Sequence, residues 1–378
     1  MIYAYYVVLL LILIAGIKFS GFKEFSDQFM SQKQCKAIQG MCAVLIIFHH
    51  MSQTLEYYKP TKCFVDVGIL FVGVFFFCSG YGLIKSLKEK EGYLNGFLKK
   101  RLITVLVPFW LISGIYLIYS AVIGMYDGMS VTELAKEMLL GITGIKIANG
   151  NEWYIIVITF LYVFFYFLFK YCKEAVAFVV LGILILAYCF AGLYLDHGEC
   201  IWWLQGEWWY NTVILFYVGL LFARFEEPIL KGLKKGYYII LPVTIVAAVF
   251  AMRFSKDVLY ERSYWCEYIP MITRKQILMN RSMCFGTQTL AIILFILAVL
   301  MVMLKFRFGN PVLNFLGKIS LELYLIHDLF IQFYHSEYCN LTKSIEYITA
   351  VVLSSIAAAF ILWLLVSRIN KVLWKKKL

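Results

Sequence analysis

The sequence predicts an all-α protein that crosses a membrane many times, and three observations predict it. Of 378 residues, 62% are hydrophobic and only 15% charged, and the mean hydropathy is +0.79; soluble domains carry roughly 25% charged residues. Apolar runs near the roughly 20-residue length of a membrane-spanning helix recur along almost the whole chain. The charges between these runs are sorted. With loops assigned alternately to two sides, 24 of the 35 Lys and Arg residues fall on one of them.

The apolar runs lie at 2–19, 37–55, 65–86, 101–124, 152–170, 175–195, 209–223, 237–252, 285–304, 318–336 and 345–366, which predicts eleven spans. The runs at 209–223 and 237–252 are short and call for interfacial aromatics or a thin site. Residues 1–19 lack a basic start and a small-residue cleavage site, so they read as a retained helix rather than a cleaved leader. Cytoplasmic loops of membrane proteins are enriched in Lys and Arg, which puts the 24 cations inside, the N-terminus outside and the C-terminal "WKKKL" in the cytoplasm of a plasma-membrane protein. Six of the other 11 basic residues fall in one long loop, 253–284, where the charge rule is weak. The basic balance is read as loops facing anionic lipid, with no nucleic-acid partner.

Ten cysteines show no CxxC pair and no metal-ligand spacing, so no metal is expected. Cys63, Cys200, Cys266 and Cys339 fall in segments placed outside, where a disulfide is open but not readable. No internal repeat, phosphate-binding loop or nucleophile elbow is visible. The missing repeat argues against a secondary transporter.

Chemistry is concentrated in "CAVLIIFHHMSQ", residues 42–53, where two of the five histidines, His49 and His50, sit near the end of an apolar run. His50 lies about 18 Å along that helix from Ile38, at 1.5 Å per residue. Gln39 is eleven residues earlier and Lys36 fourteen, so at 100° per residue both lie within about 40° of the His50 face. One stripe thus joins a cation and an amide at one mouth to an imidazole deep toward the other. The competing reading is an imidazole that only hydrogen-bonds a neighbouring helix.

Four further segments extend the pattern: "VGVFFFCSGYGL" (72–83), "FLKKRLITVLVPFWL" (97–111), "EWYIIVITFLYVFFY" (152–166) and "LGKISLELYLIHDLF" (316–330). In this order, from about Lys36 to Val366, they resemble the acyltransferase-3 family of integral-membrane O-acyltransferases. The resemblance implies a ten-helix acyltransferase domain over 36–378, with residues 1–35 an added N-terminal helix and linker. It implies transfer of an acyl group, most often acetyl, from cytoplasmic acyl-CoA to a hydroxyl of a glycan or other acceptor on the external side. Acyl-CoA would be a co-substrate, with no permanently bound cofactor. The family's Arg, ten residues, then His falls on Gln39 and His50, so the Arg is replaced here and Lys36 is the candidate substitute. The family's basic pair falls on Lys100 and Arg101, and its second Arg, a turn further on, is absent.

The chemistry fits those residue types. Attack of a hydroxyl on a thioester needs a base, and imidazole suits neutral pH. His50 is the expected base, with His49 a lesser neighbour. Lys99, Lys100 and Arg101 are the expected holders of the CoA phosphates, with Ser79 near the acyl path. Glu152 is a candidate to orient an imidazole or meet a sugar hydroxyl, against the reading of a helix-capping carboxylate. His327 and Asp328 form an intramembrane polar pair, a site candidate by residue type. Trp153, Tyr154, Trp202, Trp203 and Trp208 read either as an interfacial belt or as sugar-stacking rings. The alternative from another class is a transporter or flippase for a lipid-linked sugar.

Overall fold

The computed structural model describes all residues except 1, 56–58, 195–210, 263–272, 342 and 376–378. Among the described residues the chain folds as fourteen α-helices and one two-stranded ladder. The helices are α1 (Ile2–Ile14), α2 (Gln32–Thr54), α3 (Gly68–Glu89), α4 (Phe97–Val122), α5 (Val131–Thr143), α6 (Trp153–Tyr171) and α7 (Glu174–Tyr194). They continue as α8 (Ile214–Arg224), α9 (Glu226–Lys235), α10 (Tyr237–Arg262), α11 (Arg274–Lys305), α12 (Pro311–Lys318), α13 (Ser320–His335) and α14 (Ser344–Lys375). Strand β1 (Lys18–Phe19) pairs antiparallel with β2 (Phe306–Arg307).

Among the described residues eight helical stretches are long and apolar enough to cross a membrane, and two shorter apolar helices, Tyr5–Ile14 and Ile214–Arg224, accompany them. Their outward faces carry exposed Phe160, Phe164, Ile183, Val249, Phe250 and Ile361, the side chains that hydrocarbon solvates and water does not. The protein is an all-α polytopic membrane protein. The 16-residue α13, which carries Glu322, His327 and Asp328, belongs to neither group.

Helix ends differ from the apolar runs in two places. The helix predicted over 2–19 stops at Ile14, Gly16 takes a positive φ of 71°, and the chain turns into β1. The loop predicted over 253–284 is helical at both ends, since α10 runs on to Arg262 and α11 begins at Arg274. Polarity ends an apolar run without ending a helix, because Lys, Glu, Arg and Gln sustain helices in water. A capping box, Ser130 with Glu133, also starts α5 between two spans.

Hydrogen bonds sort the helix ends into two layers. On the layer holding the basic segments, Lys85 pairs with Glu226 at 3.0 Å and Gln34 exchanges bonds with the Phe308 backbone. There the buried Lys305 donates to the carbonyls of Gly21, Phe22 and Glu24, pinning the segment after β1. On the opposite layer Lys256 pairs with Asp66 at 2.8 Å. Each pair joins segments that the charge pattern assigned to the same side.

Close helix approach depends on glycine. A Cβ on Gly80 of α3 would overlap the Phe216 carbonyl of α8, and one on Gly219 of α8 would overlap the Phe77 carbonyl of α3. Gly40 of α2 and Gly317 of α12 meet in the same way, backbone against backbone. Without a hydrophobic force between helices in lipid, such small-residue contacts supply much of the packing. Gly80→Ala should therefore lower stability by about 1–3 kcal/mol through overpacking. Thermal unfolding in detergent checks this, with Gly82→Ala as control, since a Cβ at Gly82 meets nothing within 4 Å.

Candidate active site

Helices α2, α3, α10, α11 and α13 and the turn before α6 enclose a cavity of about 780 Å³ on the layer opposite the basic segments. Its size falls in the roughly 300–1,000 Å³ range of small-molecule sites. His49 and His50 line it from α2, Asp328 and Tyr324 from α13, and Trp153 from α6.

His50 is held by a partner 277 residues away. Its Nδ1 lies 3.0 Å from His327 Nε2, and the two ring centroids are 4.9 Å apart. His327 Nδ1 lies 3.2 Å from the Leu323 carbonyl one turn back on α13. A carbonyl only accepts, so His327 Nδ1 carries the proton, and in the neutral ring its Nε2 is an acceptor. His50 Nδ1 must then donate, which leaves the lone pair on His50 Nε2. No hydrogen bond engages that atom among the described residues, and His50 lines the cavity. The helix register thus delivers an imidazole in the tautomer a general base requires.

His49 is arranged differently. Its Nδ1 donates to the Phe64 carbonyl at 2.9 Å, and Gln53 Nε2 approaches its Nε2 at 3.5 Å. The ring lies against Gly68, where any Cβ would overlap it. It therefore seats the start of α3 while facing the same cavity.

Glu152 is buried and stands behind the cavity wall. One oxygen accepts from Ser113 at 2.7 Å, the other from the backbone NH groups of Ala148 and Asn149. The carboxylate caps the tight turn at 149–152, and Asn149 in turn donates to the Leu325 carbonyl of α13. Glu152 thereby shapes the wall formed by Asn149, Gly150 and Asn151. Sequence reasoning missed these wall residues, although the "NGN" turn ahead of "EWY" marked the place. It also missed Gln288, Thr212 and the pair Lys256 with Asp66, which line the cavity from helices and helix ends far apart in the chain.

The donor candidates cluster on the other layer. Arg101 donates to Tyr93 Oη at 2.7 Å and lies over the Tyr162 ring at 5.4 Å, while Tyr162 Oη is 2.9 Å from Ser79 Oγ. Lys36 lies in the field of Glu322 and Arg101. Lys100 turns the other way, toward the Trp374 ring at 6.0 Å, because adjacent helical residues point about 100° apart. Lys99 is exposed and Gln39 half-buried. Tyr154 lies inside the bundle rather than at its rim. Trp202, Trp203 and Trp208 lie outside the described residues, as do His197, Cys200 and Cys266. Cys339 is a free thiol, and among the described residues no three metal-ligating side chains converge.

Three rings stand between the two polar regions. Phe75, Tyr154 and Tyr324 contact one another with centroids 5.7–6.3 Å apart. Phe75 lies one turn from Val72 of the cavity and one turn from Ser79 of the donor cluster.

A helical membrane bundle with a histidine-lined cavity and a cationic cluster at its opposite end is the class these features define. A family model described as an acyltransferase domain, of the acyltransferase-3 type, matches residues 35–364, and the chain belongs to that family. No curated protein and no solved structure matches it.

The tautomer chain has a direct readout. In ¹⁵N-histidine NMR of the detergent-solubilised protein, His50 should show a protonated Nδ1 and an unprotonated Nε2. His327→Phe should mix the two tautomers. An Nε2-protonated His50 in the native protein would contradict the chain of donors.

Proposed function

We propose that the protein moves an acyl group, most simply acetyl, from cytoplasmic acyl-CoA to a hydroxyl of a cell-envelope or secreted glycan on the external side. The observation that carries this reading is the unengaged His50 Nε2 facing a cavity, in a chain of an acyltransferase family. In the proposed step Nε2 takes the acceptor's hydroxyl proton as that oxygen attacks the thioester carbonyl. The carbon–sulfur bond breaks, and the imidazolium returns the proton to the departing CoA thiolate. The thioester is already activated, so the step needs no nucleophilic side chain and no permanent cofactor. His327 holds the reacting tautomer throughout.

The topology behind this reading is eleven crossings of the plasma membrane, with the N-terminus outside. It is supported by the separation of basic and cavity-bearing layers and by the N-terminal segment, where Tyr6 of α1 meets Phe64 and the carbonyls of Ile12 and Ala15 accept from Asn310. From Lys36 to His50 is about 21 Å along α2. A pantetheine arm is long and thin enough to cover that distance while the nucleotide stays with Arg101 and Lys36. It would pass the ring triangle of Phe75, Tyr154 and Tyr324 by side-chain rotation.

Purified protein supplied with acetyl-CoA and glycan should release CoA thiol. His50→Ala should lower kcat by about 10²–10⁴, and His49→Ala by less. Near-normal turnover in His50→Ala would end the assignment.

Loss of one charge-assisted contact of about 1.5–3 kcal/mol should raise the acyl-CoA KM of Arg101→Ala by about 10–150-fold. Lys100→Ala, which removes a cation facing Trp374, should change that KM far less. Steady-state kinetics with the donor varied at fixed acceptor makes the comparison.

A further inference from the structure

The charge balance of the cavity bears on which hydroxyl compounds it admits, and this inference rests on the transferase reading above. Among the described side chains that line it, three carry fixed charge: Asp66, Lys256 and Asp328. Asp66 and Lys256 neutralise each other at 2.8 Å. Asp66 holds that position with a φ of 74°, the one positive φ outside glycine among the described residues. Strain of this kind persists where surrounding contacts over-determine it, and the ion pair is such a contact. Lys256 is therefore committed to the wall.

Asp328 is the charge left over. Its Oδ2 accepts from Gln332 Nε2 at 2.6 Å, and no Lys or Arg pairs with it among the described residues. It follows His327 directly on α13, so it shares the cavity with the His50 pair. Beside the histidines, the remaining polar lining carries no acid or base group and includes Gln53, Asn149, Asn151, Thr212, Ser255 and Gln288. His50 itself must be neutral to act as a base. An anionic acceptor would thus meet an unscreened carboxylate and find no unpaired described cation. Carboxamides and hydroxyls are the groups that hydrogen-bond an uncharged sugar, and Trp153 lines the same cavity.

We propose that the acceptor is an uncharged polyol, a neutral sugar unit, and that Asp328 sets this specificity by accepting a hydroxyl and repelling acidic sugars. Repulsion across such a site disfavours a second anion by about tenfold or more.

The test uses the purified full-length protein with acetyl-CoA. The probes are the methyl glycosides of glucose, galactose and mannose, each beside its methyl uronoside. Mass spectrometry reads the acetyl ester, and thermal unfolding with each sugar alone reads binding. The expected result is that the neutral members are used at least about tenfold better, and that Asp328→Asn narrows the ratio. Uronosides used as well as neutral sugars by the native protein would overturn the proposal, as would an unchanged ratio in Asp328→Asn. Should that variant fail to fold, the native ratio decides alone. If nothing is acetylated but only neutral sugars stabilise the protein, the selectivity stands and the transferase reading falls. If no sugar reacts or stabilises, the sugar-acceptor assignment is overturned.

Discussion

The bond between His50 and His327 sets the terms for the rest of the bundle. A polar ring inside an apolar bundle is costly unless it is hydrogen-bonded. Here each imidazole satisfies the other and a backbone carbonyl completes the chain. That geometry requires α2 and α13 to run side by side in one register. The approach is set one helix earlier in the chain, where Gly40 and Gly317 let the α2 and α12 backbones touch just before α13 begins. The Asn149 side chain then ties the wall turn to the Leu325 carbonyl, two residues before His327. Packing glycines, a capped turn and a histidine pair form one connected device.

The same bundle keeps two chemistries apart. Cations gather at one end, and neutral amides and imidazoles line the cavity at the other. Between them the rings of Phe75, Tyr154 and Tyr324 contact one another. Aromatic side chains fill such a section well because each buries a large area with only two torsions to fix. Arg101 illustrates the division. It is anchored by Tyr93 and stacked on Tyr162, whose hydroxyl reaches Ser79 on the helix that also carries Phe75.

Glu152 shows how one residue type leaves two readings open until its partners are seen. A carboxylate beside aromatic residues at a helix start can orient an imidazole or meet a sugar hydroxyl, or it can cap the helix. Both of its oxygens are instead occupied by Ser113 and by turn NH groups, so it holds the wall on which Asn149 and Asn151 sit. Its contribution to the cavity is architectural, and it is exerted through neighbours.

Much of the architecture is written locally. Apolar runs set where helices form, because burial in lipid demands an uninterrupted apolar surface with every backbone group paired inside the helix. Charge between the runs sorted the loops into the two layers that the hydrogen bonds later joined. The eleven-residue spacing from Gln39 to His50 placed both on one face by helical arithmetic, and the choice of His50 over its neighbour followed from that. Helix ends were less legible: α10 and α11 extend beyond their apolar runs because a helix outside hydrocarbon depends on propensity and capping rather than on hydropathy. What the tertiary structure alone decided is which side chains meet. Nothing within a few turns of His50 announces His327, or pairs Asp66 with Lys256, or leaves Asp328 without a cation among the described residues. Periodicity is a property of one helix, whereas a hydrogen bond between helices depends on how the whole chain returns to the same place.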